Sequence, residues 1–252
     1  MIEKIKNLST EYFDEIIKIR RHLHMYPELS FEEFGTSEYI KGILNSWGIE
    51  FTDGYVNTGI LVVLQVANPE SRILALRADF DALPMPEKNE FEHKSTNEGM
   101  MHACGHDGHT SMLLGAAKYL SENNDFDGNV YFIFQPGEEG FAGGQKMIQD
   151  GMFDDFKIDE VYALHNWPEL PIGTLGVNSG PMMAAVDEFD IIVKDLDEKL
   201  TKKYSSNYIK HSFMFFPWNP DPLNMYEKIY DILFNRISTR GDSWNQRSYH
   251  DM

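Results

Sequence analysis

The decapeptide MHACGHDGHT, residues 101–110, sets one thiol and three imidazoles close together just ahead of a helical pattern. Side chains of this kind ligate metal ions. Cys104 is the only cysteine in 252 residues. No internal disulfide can form, which leaves a buried apolar thiol, a nucleophile or a metal ligand, and the neighbouring His106 favours the last. Two further segments add donors: QPGEEG (135–140) brings the adjacent carboxylates Glu138 and Glu139, and ALHNWP (163–168) brings His165. Thiolate, imidazole and carboxylate together form a ligand set for zinc or a similar divalent ion. Adjacent glutamates at the end of a buried strand point in different directions, so one can coordinate while the other faces a substrate. A carboxylate beside a metal-bound water takes its proton and later returns it to a leaving amine. Taken singly, each signal has a plainer reading: a packed thiol, or solvated loop carboxylates.

The elements that must position these groups alternate. Helical spacing of apolar residues covers 10–25, ended by Pro27, and 31–47, ended by Gly48. After the short run 49–52, ILVVLQV (60–66) and ILALRAD (73–79) read as buried strands, bracketed by Gly59, Asn68 and Pro69. A helix over 110–120, a strand over 129–135, a helix over 141–150 and a strand over 160–165 follow. This alternation predicts a layered α/β domain. Asp79, the Glu138–Glu139 pair and His165 all fall at or just beyond the C-terminal ends of predicted strands, where sites in open α/β sheets gather. A hinge, SGPMMAAVDEF (179–189), leads into one more strand over 188–194. From Asp195 the alternation is lost, and only MYEKIYDILFNRI (225–237) shows a helical stripe.

The motifs RRHLHMYPELSFEE, ALRADFDALP, MHACGHDGHT, FQPGEEG and ALHNWP, with the hinge SGPMMAAVDEF after them, are similar in order and spacing to those of a known family from about Arg20 to Val193. The chain resembles the amidohydrolase branch of the metal-dependent aminoacylase/carboxypeptidase family, which contains hippurate hydrolases, N-acyl-amino-acid amidohydrolases and auxin-conjugate hydrolases. The resemblance implies an α/β/α metallopeptidase-like catalytic domain and hydrolysis of N-acyl amino acids or related amides by a metal-bridged water. Cys104 would be the bridging ligand to two divalent ions (zinc, or manganese, cobalt or nickel), and His106, Glu139 and His165 the other ligands. Glu138 would be the general base. Asp79 would stand behind the ligands and orient one of their imidazoles, although capping of the strand end suits it as well. Complete members of the family are homodimers.

The resemblance stops short of the tail. The chain reads as the N-terminal part of the catalytic domain (1–186), the first strand of a lid and dimerisation domain (187–194), and an unassigned tail (195–252). The family's Gly-Gly-His lid segment and its final histidine ligand have no counterpart after Lys194, and His211 and His250 read as surface residues. Two functions therefore compete: an amidohydrolase, and an inactive truncated fragment that keeps part of a metal site and acts as a binding or interaction module. A closed structural zinc module is disfavoured by the adjacent carboxylates. Of the other histidines, His102 and His109 fit capping of the following helix, while His22 and His24 fit packing or the surface.

Composition narrows the partners. With 22 basic and 40 acidic residues the formal charge is -18, which repels phosphate backbones and anionic lipids and excludes nucleic acid and membrane surfaces as expected partners. The N-terminal stretch mixes charge into every turn and lacks a signal-peptide core, and no apolar run approaches the ~20 residues of a membrane span. Cytoplasmic location is the expectation, with a small N-acyl amino acid or amide as the partner.

Overall fold

The computed structural model describes residues 2–65, 72–124, 126, 128–177 and 179, together with the strands at 187–192 and 210–215. The chain divides into two units, residues 1–169 and 170–252. In the first, α1 (Ile2–Met25), α2 (Phe34–Ser46), β1 (Phe51–Tyr55), β2 (Gly59–Gln65), β3 (Ile73–Asp79), α3 (His106–Glu122), β4 (Asn129–Gln135), α4 (Gly143–Gln149), α5 (Met152–Asp155) and β5 (Glu160–Ala163) follow in order. The five strands form one sheet in the order β1-β2-β4-β3-β5. β3 runs parallel to both β4 and β5, while β2 is antiparallel to β1 and β4. The parallel part thus collects the C-terminal ends of β3, β4 and β5 on one edge.

Period-two alternation along the strands builds two cores. Ile60 and Val62 of β2 and Phe132 and Phe134 of β4 pack with Ile19 and Leu23 of α1, Ile40 and Leu44 of α2, and Leu113, Leu114 and Ala117 of α3. Their neighbours Leu61, Tyr131 and Ile133 face the other way, with Ala75 of β3, onto Met147 of α4 and Met152 of α5. Helices on both faces make the expected α/β/α layering. α1 and α3 are stitched by Lys118 Nζ to Glu15 (2.5 Å) and by a short Tyr12–Glu122 hydrogen bond. Gly115 lets the α3 backbone lie close to the Ile16 side chain of α1.

Strands 73–79 and 129–135 fall where their apolar runs predict. Other elements differ: α1 begins at Ile2, ahead of the expected residue 10, β5 ends at Ala163 rather than at residue 165, and α5 was not expected. The run 49–52 becomes the start of β1, an edge strand in a hairpin with β2. The third helix begins at His106 rather than Thr110, because Gly105, at φ 99°, turns the chain sharply into it and Asp107 in its first turn meets the positive end of the helix. β5 is an edge strand among the described residues, with Val161 and Tyr162 exposed.

In the second unit, β6 (Asp187–Ile192) pairs antiparallel with β7 (Lys210–Phe215). β6 matches the strand expected after the hinge. β7 falls in the tail that sequence reading left unassigned, in the aromatic run that begins at His211. The helical stripe 225–237, hinge residues 180–186, Lys194 and His250 lie outside the described residues.

Candidate metal centre

Four segments converge at the C-terminal edge of the parallel strands. β3 runs out into Asp79 and Asp81, β4 into Glu138 and Glu139, and β5 into His165; Cys104 and His106 stand at the start of α3. Cys104 Sγ lies 3.4 Å from His165 Nε2 although 61 residues separate them. His106 Nε2 lies 3.8 Å from Glu138 Oε2 and 3.8 Å from Glu139 Oε1. The donor atoms of Cys104, His106 and His165 all lie within 4.8 Å of one another, as do those of His106, Glu138 and Glu139. All five side chains singled out as ligands or base therefore meet in one cleft.

Whether a cation suits this cleft is tested by its polar atoms. His106 Nε2 and Glu139 Oε1 are both buried and lack a hydrogen-bond partner, a costly arrangement for an imidazole and a carboxylate. Their separation is one that two metal–ligand bonds of ~2.0–2.2 Å can span. Burial pushes the Glu139 carboxyl up, and the Glu138 and Asp81 charges add to that against the pull of His106. Burial opposes charge on His106 too, but the Asp81 hydrogen bond, the neighbouring Cys104 thiol and the Asp79 and Asp81 charges outweigh it and push this imidazole up to about 11. The residues fit a divalent ion.

Each imidazole is oriented from behind. His106 Nδ1 lies 2.8 Å from the Asp81 carbonyl oxygen and 3.2 Å from Asp81 Oδ1, so Nδ1–H donates to Asp81 and Nε2 is turned into the cleft. Asp79, singled out from the sequence for this task, does it for a different ring: its Oδ1 lies 2.7 Å from His109 Nδ1, and its Oδ2 is 3.7 Å from His106 Nε2. Burial opposes ionisation of Asp79, yet the His109 hydrogen bond and the Arg77 and His106 charges hold its carboxyl well below the usual range. Asp81 is also held low against burial, by its hydrogen bonds with His106, Ser30 Oγ and the Glu139 backbone N–H.

Sequence reasoning passed over three residues. Asp81 carried a signal, since it stands two residues beyond Asp79 and so on the same side of an extended chain. Glu33, fully buried, accepts the Gly137 backbone N–H at 2.9 Å and the Thr58 hydroxyl at 3.0 Å. It thereby anchors the loop that carries Glu138 and Glu139, and nothing local in the sequence announces it. His109 was expected to cap the helix, as was His102. Neither does: Gly105 is the cap residue and no side chain bonds there. His102 is buried with both ring nitrogens unbonded. Burial holds it neutral, at about 4, although Asp107 pulls the other way. His22 stacks on Tyr39 at 3.7 Å, and His24 is buried between Asp107 (2.8 Å) and Glu87 (3.0 Å), both packed as expected.

The sequence profile of Peptidase family M20/M25/M40 matches residues 75–243, and the chain belongs to this family. The match runs past Lys194 into the tail. The chain is 48% identical over 189 residues to an N-acetyl-L-cysteine deacetylase of Bacillus subtilis (strain 168), covering 75% of this chain and 44% of that protein. It is 45% identical over 191 residues to an N-acyl-L-amino acid amidohydrolase of Geobacillus stearothermophilus, covering 75% and 51%. Among solved structures, the Bacillus subtilis YXEP protein, described as a dinuclear metal-binding peptidase of the M20 family, superimposes with a TM-score of 0.70 at 30% identity, over 88% of this chain and 68% of that one. The chain thus spans about half the length of these two curated relatives. No helix among the described residues is long and apolar enough to cross a membrane.

Proposed function

We propose that this chain carries the catalytic half-site of a metal-dependent amidohydrolase acting on N-acyl amino acids or related small amides. The carrying observation is the pair of buried, unbonded donors, His106 Nε2 and Glu139 Oε1, with Glu138 beside them at the mouth of the cleft. Cys104, His106, Glu139 and His165 would hold divalent metal, with two ions in the completed site. A cation there polarises an amide carbonyl and acidifies water. Glu138, 43% exposed in its side chain, faces the solvent side, accepts a proton from the attacking water and returns it to the leaving amine. Asp81 keeps the His106 ring in the tautomer that leaves Nε2 free, and its acceptance of the Glu139 N–H fixes the carboxylate loop. Relatives named as deacetylases and amidohydrolases support an N-acyl amino acid as the substrate class. Residues 1–186 would form the catalytic part and 187–194 the start of a lid.

A second reading, a partial site that binds without turnover, is favoured by one observation. The three donor groupings among the described residues all contain His106, and its one free nitrogen serves one ion. Both readings meet the same experiment. The chain is reconstituted with zinc or manganese and offered N-acetyl and N-benzoyl amino acids. Turnover of about 1 per second or faster that is lost in Glu138→Gln at unchanged metal content supports the hydrolase. Metal binding without turnover supports the second reading, and equal metal loss in Glu138→Gln removes the assignment of the base.

A further inference from the structure

His165 has little packing to hold it: residues 161–170 are all exposed, and β5 ends at Ala163, before the histidine is reached. Its nitrogen nevertheless faces Cys104 at 3.4 Å. A line of hydrogen bonds explains how. Asp79 Oδ1 accepts Nδ1–H of His109 (2.7 Å), and His109 Nε2 accepts the Asn166 backbone N–H (3.1 Å). The Asn166 carbonyl oxygen in turn accepts Nδ1–H of His165 (2.7 Å). The Asn166 side-chain amide closes on the same nitrogen, with its Oδ1 placed 2.7 Å from His109 Nε2; with oxygen and nitrogen exchanged by an amide turn, the group shares the Nε2 lone pair with the backbone N–H. The ring of His109 stands edge-on to that of His165, centroids 4.7 Å apart. The same Asn166 amide fills the space a side chain at position 105 would need, since a Cβ on Gly105 would lie 2.2 Å from its nearest atom.

We infer that His109 is a positioning residue for His165: anchored on β3 through Asp79, it grips Asn166 and so fixes the His165 imidazole, through the Asn166 carbonyl, with Nε2 toward Cys104. His109 itself coordinates nothing, because both of its nitrogens are engaged. This inference rests on the metal reading of the cleft. It differs from that reading in predicting that His109 acts only through His165.

The test compares zinc affinity, by competition with a chromophoric chelator, for the unaltered chain, C104S, H165A, H109N, H109Q and the double variant H109N/H165A. Asparagine keeps the donor to Asp79 and loses the contact with Asn166, so the buried carboxylate stays paired. H109N should weaken zinc binding about 10- to 100-fold, the loss typical when a ligand's orienting partner is removed. H109Q, whose amide oxygen reaches the Nε2 position, should recover part of it. In the H165A background H109N should cost nothing further, a coupling that general destabilisation does not produce. Hydrogen exchange of the metal-free chain should quicken across residues 164–167 in H109N. Zinc affinity unchanged in H109N, or a loss of equal size with and without His165, overturns the inference while leaving the metal reading intact. Zinc binding unaltered in both C104S and H165A overturns the metal reading, and the inference with it.

Discussion

Glu33 is the residue whose removal tests most directly how the fold holds the carboxylate loop. Its Oε1 accepts the fixed Gly137 N–H, its Oε2 accepts the Thr58 hydroxyl, and the side chain is fully buried. In Glu33→Ala the Thr58 hydroxyl can turn to another acceptor, but the Gly137 amide cannot. One stranded buried donor costs about 1–3 kcal/mol, and the lost side-chain volume adds to it, giving an expected destabilisation of about 3 kcal/mol. With a urea slope of about 2 kcal/mol/M, the midpoint falls by roughly 1.5 M. Glu33→Gln keeps the shape, offers Oε1 to Gly137 and donates to Thr58 Oγ1, so it should cost far less at pH 7. The pH dependence adds a second check. Burial raises the Glu33 carboxyl, and its hydrogen bonds with backbone amides and Thr58 recover only part of the shift. A carboxyl raised in the folded state binds more protons there than in the unfolded chain, so stability is lost as pH rises from the unfolded value toward the folded one. Glutamine escapes this loss, and its standing against the parent should improve across that window. Urea unfolding followed by tryptophan fluorescence reads both quantities. A Glu33→Ala cost under about 1 kcal/mol, or a Glu33→Gln cost equal to it at pH 7, refutes the anchoring argument.

Three further outcomes follow from equally local features. His102 is held neutral at about 4 by burial, so between pH 6.5 and that value the unfolded chain binds more protons and stability falls with acid, by about 3 kcal/mol in all; His102→Gln should flatten that limb, and parallel pH curves for the two proteins would sink the idea. A Cβ at Gly143 would lie 1.7 Å from the Pro136 carbonyl oxygen, a backbone clash with no rotamer to relieve it, so Gly143→Ala should cost about 3 kcal/mol or more in the same urea assay. Val161, Tyr162 and Leu164 expose apolar surface along the edge that β5 forms among the described residues, and Tyr162→Lys should reduce self-association in light scattering without lowering the melting temperature.

How legible these features are in the sequence depends on the range of the interaction that creates them. ILALRAD and NVYFIFQ declare β3 and β4 because an apolar run between turn signals is a local property. Cys104, Glu139 and His165 were legible as candidates for one site because their residue types are unusual together, Glu139 and His165 follow strand ends and Cys104 stands just ahead of a helix. The start of α3 was not, since His106 to His109 carry no apolar spacing and the helix begins there only because Gly105 adopts φ 99°. Glu33 was hidden for a different reason: its partner lies 104 residues away, and a buried glutamate in SFEE looks like any solvated one until the sheet is closed. β7 was missed because its pairing with β6 spans a polar stretch that hides any turn.

The assignment of Asp79 shows what sequence position alone leaves open. Three carboxylates each lie against an imidazole in this structure: Asp81 against His106, Asp79 against His109 and Asp107 against His24. Arg20 Nε holds the last of these carboxylates from a second side at 2.7 Å. A carboxylate behind a ring fixes which nitrogen carries the proton, and hence what the other nitrogen meets. For His24 it meets Glu87, for His109 it meets Asn166, and for His106 it makes no hydrogen bond and faces the Asp79, Glu138 and Glu139 carboxylates at 3.7–3.8 Å. Of the three paired imidazoles, only His106 presents a free nitrogen to the cleft. The pattern of acceptors, more than the histidines themselves, thus selects which nitrogen is left open to the cleft. It also explains why three imidazoles within ten residues contribute one donor to the cleft: His109 is tied up, His102 is buried without a partner, and His106 is aimed.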